Sequence, residues 1–281
     1  MMNEVGRIAT LANSFDVESA RRRCRTYRRR ILDISQNVSA LHIAPAFSCT
    51  EMVDVVYNAL VRRNDDGTFR DVFIMSKGHG CMIQYVILEE QGILSAHDIA
   101  LYCQPGGRLG AHPDFGTPGI AASTGSLGHG LAIASGQAYA ERLKGSDVHI
   151  YCVLSDGECQ EGSTWEALMM AANLQLTNLV AFVDNNDFSS LERMSVGQKA
   201  FYPLAAKIEA FGWQTAEIDG HDSHAIFEAV TSQRGDRPFL AICRTTKGKG
   251  VSYMENVPIW HYRSPSAEEY RQAVREIEEG R

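Results

Sequence analysis

From residue 148 onward the chain alternates apolar runs with helical patterns, and few folds accept that order. Strands are predicted over 148–154, 179–183 (LVAFV), 213–218 (WQTAEI) and 238–245 (PFLAICRT). Between them lie a helix opening at the capping-box pattern Ser163-x-x-Glu166, a helix around 201–211, and a helix over 222–234. Strands separated by helices imply an α/β fold, a mostly parallel sheet with helices on both faces. In such sheets ligands bind beyond the carboxyl ends of the strands. Two of those ends carry groups suited to a ligand: SDGECQEG (155–162), with Asp156, and DNN (184–186), with Asn186.

The upstream half fits the same class. Val17, Cys24, Tyr27, Ile31, Ile34 and Val38 recur at helical spacing and predict a helix over 16–40. Arginines from Arg21 to Arg30 occupy much of its remainder, as a solvated face or as a docking patch for an acidic partner. Ser48-x-x-Glu51 predicts the start of a helix over 49–61, NDDG (64–67) a turn, and DVFIM (71–75) a short buried strand. Helices are expected over 80–91, from Ser95-x-x-Asp98, and over 131–144. The intervening stretch 104–130 is rich in Gly and Pro but free of charge runs, which reads as a functional loop rather than a disordered one. No repeat or linker is evident. Residues 1–281 are therefore expected to form a single domain, with an N-terminal helical segment over about 1–65 and a C-terminal helix over about 266–280.

Bulk properties remove several functions. The formal charge of −7, from 27 basic and 34 acidic residues, argues against a nucleic-acid or anionic-membrane surface. No apolar run approaches the ~18–20 residues that span a bilayer. The opening MMNEVGRIATLANSF contains an acid and no continuous apolar core, so it does not read as a secretory signal. Seven cysteines without a C-x-x-C pair favour reduced thiols in a cytoplasmic protein.

Asp156 and Asn186 are one strand–helix–strand unit apart, which would set a carboxylate beside a carboxamide at adjacent strand ends. Such oxygen donors suit magnesium, which takes few protein ligands and completes its shell with phosphate and water. The glycines would let backbone N–H groups approach a phosphate. Taken alone, Asp-Gly and Asn-Asn are also ordinary turns.

The whole stretch SDGECQEGSTWEALMMAANLQLTNLVAFVDNND resembles the thiamine-diphosphate motif of the transketolase family. LHIAP (41–45), RDVFIMSKGHG (70–80), LGAHPD (109–114), STGSLGHG (123–130) and TTKGKGVSYMENVPIWHY (245–262) resemble further family segments, in family order. The resemblance implies a thiamine-diphosphate-binding fold, with Asp156, Asn186 and the Phe188 carbonyl holding Mg2+ or another divalent cation such as Ca2+ or Mn2+. It places Gly125, Leu127 and Gly157 against the cofactor through their backbones. His42, His79, His112 and His261 would line the cofactor and substrate channel, His79 and His261 touching the cofactor itself. Glu161, counted with the catalytic and cofactor-binding residues, would lie near the domain's interface with its partner and join a carboxylate network linking two active sites, or simply cap the Ser163 helix. Lys77 is either an exposed lysine or a ligand of substrate phosphate. His129 stands where the family has Gln and is read as a structural or interface residue; His221 and His224 form an H-x-x-H pair, read as part of a strand-end loop rather than as metal ligands.

A full-length transketolase continues into a pyrimidine-binding domain and a small C-terminal domain. The resemblance therefore implies the N-terminal subunit of a split enzyme, with a separate C-terminal subunit in an α2β2 assembly. That enzyme would pass a two-carbon ketol unit from a ketose or ketose phosphate to an aldose. Two alternatives are the α subunit of a 2-oxo acid dehydrogenase or acetoin-type enzyme and a non-catalytic cofactor-binding scaffold. The Ser-Lys-Gly-His and Trp-His segments weigh against the first, and the retained Asp156, Asn186 and histidines against the second.

Overall fold

The computed structural model describes residues 15–38, 42–233 and 235–280. The N-terminal leader reading, Leu41, and the last residues predicted for the helices over 16–40 and 222–234 lie outside these described residues. In chain order the elements are α1 (Val17–Ser35), α2 (Ile43–Ser48), α3 (Thr50–Val55) with a π turn to Leu60, β1 (Val72–Met75), α4 (Cys81–Glu90) and α5 (Ala96–Ala100). Then follow α6 (Gly130–Leu143), β2 (Ile150–Ser155), α7 (Gly162–Asn173), β3 (Leu179–Asn185), and a small hairpin of β4 (Phe188–Ser189) and β5 (Glu192–Arg193). The chain closes with α8 (Met194–Gly197), α9 (Leu204–Ala210), β6 (Gln214–Asp219), α10 (Ser223–Thr231), β7 (Phe239–Arg244) and α11 (Ala267–Glu278).

Five strands pair in parallel in the order β1-β2-β3-β7-β6. Successive residues of a strand point to opposite faces, and here both faces are buried. Phe73, Tyr151, Val153, Phe182 and Ala241 join one apolar cluster with residues of α1 to α4, α10 and α11. Ile74, Cys152, Leu154, Ala181 and Ile242 join a second with residues of α6, α7 and α9. Two covered faces explain why the central strands read as continuous apolar runs. At one border, β6 carries Glu217 and Asp219, charges that discourage pairing with another chain.

Several local expectations change. Ser48 does not cap a helix; the chain is already helical over 43–48, and the Ser48 hydroxyl turns inward to Asp184. Ser163 is not an N-cap either: Glu161 holds that position, and the Ser163 hydroxyl donates to the Gly128 carbonyl at 2.9 Å. The capping boxes at Ser95 and Ser266 are present. Arg21 and Arg22 are exposed, but four other arginines of the run are tied down. Arg23 pairs with Asp54, Arg28 with Glu51, Arg29 with Asp33 and Arg30 with Glu89, stapling α1 to its neighbours and to itself. All seven cysteines are free thiols, and only Cys103 is exposed. Among the described residues no helix is long and apolar enough to cross a membrane.

Candidate active site

Because the five strands run the same way, the residues just past them collect along one edge of the sheet. Asp156 follows β2 and is fully buried. One carboxylate oxygen accepts the Gly157 N–H at 2.8 Å and the other the Asp187 N–H at 2.6 Å. Asn186 ends the neighbouring strand; its carbonyl oxygen accepts the Phe188 N–H at 3.1 Å, and its amide donates to Asp184 at 3.1 Å. Gly157 lets the following hairpin close over the turn. A Cβ there would stand 3.1 Å from Ser189 Cα and 3.2 Å from the Phe188 carbonyl oxygen.

The donors fit a hard cation. Burial, then the nearby Asp184 carboxylate, pushes the Asp156 carboxyl up to about 7, outweighing the Gly157 and Asp187 N–H groups and the charge of Lys77. Lys77 makes its direct contacts elsewhere: its ammonium is bound to Asp184 and donates to the Pro45 carbonyl at 3.0 Å. A divalent ion would restore Asp156 to its ionised form, and a carboxylate, an amide and a backbone carbonyl are donors that magnesium takes alongside phosphate.

Lys77 is completely buried, which removes its reading as an exposed lysine. It and Asp184 form the hub of a polar network that also receives the Ser48 and Thr245 hydroxyls. Opposed to burial, Lys77 and these donors hold the Asp184 carboxyl below its usual range. Asn186 hangs from the same carboxylate.

The four predicted histidines come together. His42 lies centrally, its ring 5.9 Å from His79, 5.7 Å from His112 and 5.2 Å from His261, and His79 is 5.4 Å from His261. Burial, then the cationic side of the site, lowers His42 to about 4 and His261 to about 3, and puts His79 well below its ordinary value. These three imidazoles are therefore neutral near pH 7, each with one N–H and one lone-pair nitrogen. Nδ1 of His42 is buried without a hydrogen-bond partner, a polar atom directed at something the chain does not itself supply.

The 104–130 loop is held by specific bonds, including Tyr85 Oη to the His112 carbonyl at 3.0 Å and the Thr124 hydroxyl to the Met75 carbonyl at 2.6 Å. Gly125 sits at φ +126°, and a Cβ on it would fall 2.6 Å from the His112 ring. Gly125→Ala should therefore displace His112 and cost more than about 1 kcal/mol of stability, read from urea unfolding. An unchanged midpoint would show that the loop tolerates the side chain.

His79, Leu127, Gly157, Asn186, Phe188 and His261 share a cavity of about 110 Å³ at this edge. A broader depression of about 730 Å³, beside Trp165 and Phe211, contains none of these groups. Glu161 is not among the cavity residues; it is exposed and occupies the N-cap position of α7 without a side-chain cap bond. His221 and His224 do not combine as metal ligands: His221 is bound to Glu51, and His224 lies near Glu228.

Sequence reasoning missed Lys247. It lines the same cavity, with Nζ 2.8 Å from the Ser190 carbonyl and 2.9 Å from His261 Nδ1. The ammonium donates, so Nδ1 of His261 accepts and its proton sits on Nε2. Burial and the neighbouring Lys77 lower Lys247 to about 8. Its only signal was position, at the end of β7 inside TTKGKG.

Fold and site together define a doubly wound α/β domain whose strand ends gather carboxylate, carboxamide, imidazole and ammonium groups. The chain matches the family "Transketolase, thiamine diphosphate binding domain" over residues 19–277. It is 37% identical over 257 residues to one subunit of the apulose-4-phosphate transketolase of Phocaeicola vulgatus, covering 90% of this chain and 91% of that protein. It is 33% identical over 243 residues to a 6-deoxy-6-sulfo-D-fructose transketolase subunit of Clostridium sp., covering 84% and 88%. The solved transketolase of Campylobacter jejuni superposes with a TM-score of 0.86 at 26% identity, covering 94% of this chain and 43% of that one. The chain belongs to the transketolase family, as its thiamine diphosphate binding domain. It spans less than half the length of that solved enzyme and nearly all of the two subunit relatives. The relatives are transketolases, so the 2-oxo acid dehydrogenase and acetoin-type alternative is not favoured.

Proposed function

We propose that residues 1–281 form one domain that serves as the N-terminal subunit of a two-component transketolase. With a separate C-terminal subunit, in an α2β2 assembly in the cytoplasm, it would transfer a ketol unit from a ketose or ketose phosphate to an aldose. The observation that carries this reading is the convergence of four histidine rings, two of which, His79 and His261, line a cavity with Asn186 and with Gly157, the residue after Asp156. Relatives of this length carry subunit names, which supports a partner chain.

When bound, thiamine diphosphate would supply the electron sink for carbon–carbon cleavage. Asp156, Asn186 and the Phe188 carbonyl are assigned to Mg2+, or to Ca2+ or Mn2+ in its place. Gly125, Leu127 and Gly157 are assigned to backbone contact with the cofactor, and Lys247 places a cation where an anionic diphosphate would lie. His42, His79, His112 and His261 are assigned to the reacting end. The neutral imidazoles of His42 and His79 can accept a proton from a sugar hydroxyl and return it to a carbonyl oxygen. Exposed Glu161 is assigned to the partner contact.

His79→Ala should lower turnover by about a hundredfold or more while changing cofactor affinity much less. Equal kcat in steady-state assays would remove that role. The reading as a whole is tested by titrating thiamine diphosphate and Mg2+ calorimetrically into this chain alone and with a candidate C-terminal subunit, followed by ketol-transfer assays. Binding that appears or tightens in the mixture, with activity only there, is expected. Robust activity of the isolated chain would overturn the two-component reading, and absence of binding in both samples would overturn the cofactor assignment.

A further inference from the structure

A line of buried polar groups reaches the cavity from behind. Arg28 of α1 grips Glu51 of α3 with contacts of 2.8 and 2.7 Å, and both side chains are less than a tenth exposed. The same Glu51 carboxylate meets Nδ1 of His221 at 3.0 Å. On the other side of the ring, Nε2 lies 2.8 Å from the backbone nitrogen of Thr246. A backbone N–H only donates, so Nε2 is the lone-pair nitrogen and the ring proton is on Nδ1, donated to Glu51. Burial alone would raise Glu51; Arg28 and His221 override it and hold the carboxyl down at about 2.

Thr246 is flanked by two residues already tied to the site. The Thr245 hydroxyl bonds Asp184, and Lys247 lines the cavity and holds His261 Nδ1. Other anchors of this loop include the backbone bonds Thr245 N–H to the Asn185 carbonyl at 3.1 Å, Gly248 N–H to the Ala44 carbonyl at 3.1 Å and Asn256 N–H to the Lys247 carbonyl at 2.9 Å, and the Gly250 N–H to the Glu255 carboxylate at 3.0 Å. His221 itself is not a cavity residue.

We propose that Arg28, Glu51 and His221 act as a positioning relay for Lys247, in which His221 holds the Thr246 N–H and so seats the lysine over the cofactor's diphosphate. The relay rests on the cavity reading given above. His221 is a positioning residue that never touches substrate. Its partner in the H-x-x-H pair, His224, is half-exposed and takes no part.

The test is a mutant cycle on the full chain with its partner subunit, reading the Kd of thiamine diphosphate with Mg2+ by calorimetry and the unfolding temperature in parallel. His221→Leu should weaken binding about tenfold or more, as loss of an outer support does at other ligand sites. His221→Gln, whose side-chain oxygen can accept the Thr246 N–H, should restore affinity to within about threefold. On a Lys247→Ala background, His221→Leu should add almost nothing, because its effect passes through the lysine. Glu51→Gln, which keeps an acceptor for His221, serves if His221→Leu does not fold, and should weaken binding only when Lys247 is present. Unchanged affinity in a destabilised His221→Leu protein, or full additivity with Lys247→Ala, would overturn the relay while leaving the cofactor site intact. Normal affinity in Lys247→Ala alone would instead overturn the lysine's assignment to the diphosphate, and the relay with it.

Discussion

Asp156→Ala is expected to weaken Mg2+-dependent binding of thiamine diphosphate by at least about a hundredfold, since outer-shell losses alone cost 10–100-fold, and to leave the fold standing. Two opposed terms set the second half of that expectation. Removing the carboxylate strands the Gly157 and Asp187 N–H groups, at about 1 kcal/mol or somewhat more for each. It also relieves a buried acid whose carboxyl is pushed from 3.8 to about 7, worth a few kcal/mol at ~1.4 kcal/mol per pKa unit. The cofactor-free variant should therefore unfold at or above the wild-type urea midpoint. Saturating cofactor and Mg2+ should stabilise the wild type, by about 2.7 kcal/mol at a hundred times Kd, and do nothing for the variant. Retained affinity would remove Asp156 from the site, and a collapsed fold would mean that its hydrogen bonds outweigh its burial.

Lys77→Met should act in the opposite way, on stability first. Lys77 and Asp184 are both wholly shielded from water, so deleting the cation leaves a buried carboxylate supported only by Ser48, Thr245 and Asn186. Breaking one side of such a pair typically costs about 3–5 kcal/mol. The pH dependence gives the sign. In the wild type the Asp184 carboxyl is held below its usual range. Its contribution is thus present above the unfolded value of about 3.9 and is lost as pH falls through the folded one. In Lys77→Met burial would raise that carboxyl instead, so protonation favours the folded variant. The gap between the two proteins should narrow from pH 7 toward pH 5, and Lys77→Met/Asp184→Asn should recover part of the loss. A gap that stays constant with pH would show that Asp184 is not the group left uncompensated.

Much of the site was readable before the fold was known, because its chemistry sits at strand ends that periodicity locates. Asp156 and Asn186 follow apolar runs, and the histidines lie in motifs that keep family order. The misreadings share one cause. Ser48 and Ser163 sit at capping-box spacing, yet their hydroxyls bond Asp184 and the Gly128 carbonyl, distant in sequence. A local pattern expresses the local option for a hydroxyl, and tertiary contacts override it when a buried acceptor lies within reach. Arg23, Arg28 and Arg30 were similarly indistinguishable from surface arginines until α1 packed against the elements carrying Asp54, Glu51 and Glu89.

The amino-acid order alone determined the α/β class, the parallel sheet, the two strand ends that carry Asp156 and Asn186, and the family. Each depends on short-range periodicity or on contiguous motifs, which folding does not rearrange. Only the tertiary structure decided which charges face one another. It buried Lys77 against Asp184, turned Lys247 toward His261, and placed Glu51 behind His221. Residues far apart in the chain meet only when parallel strands bring their ends to a single edge. Electrostatic partnership falls off steeply with distance in space and is blind to distance along the chain.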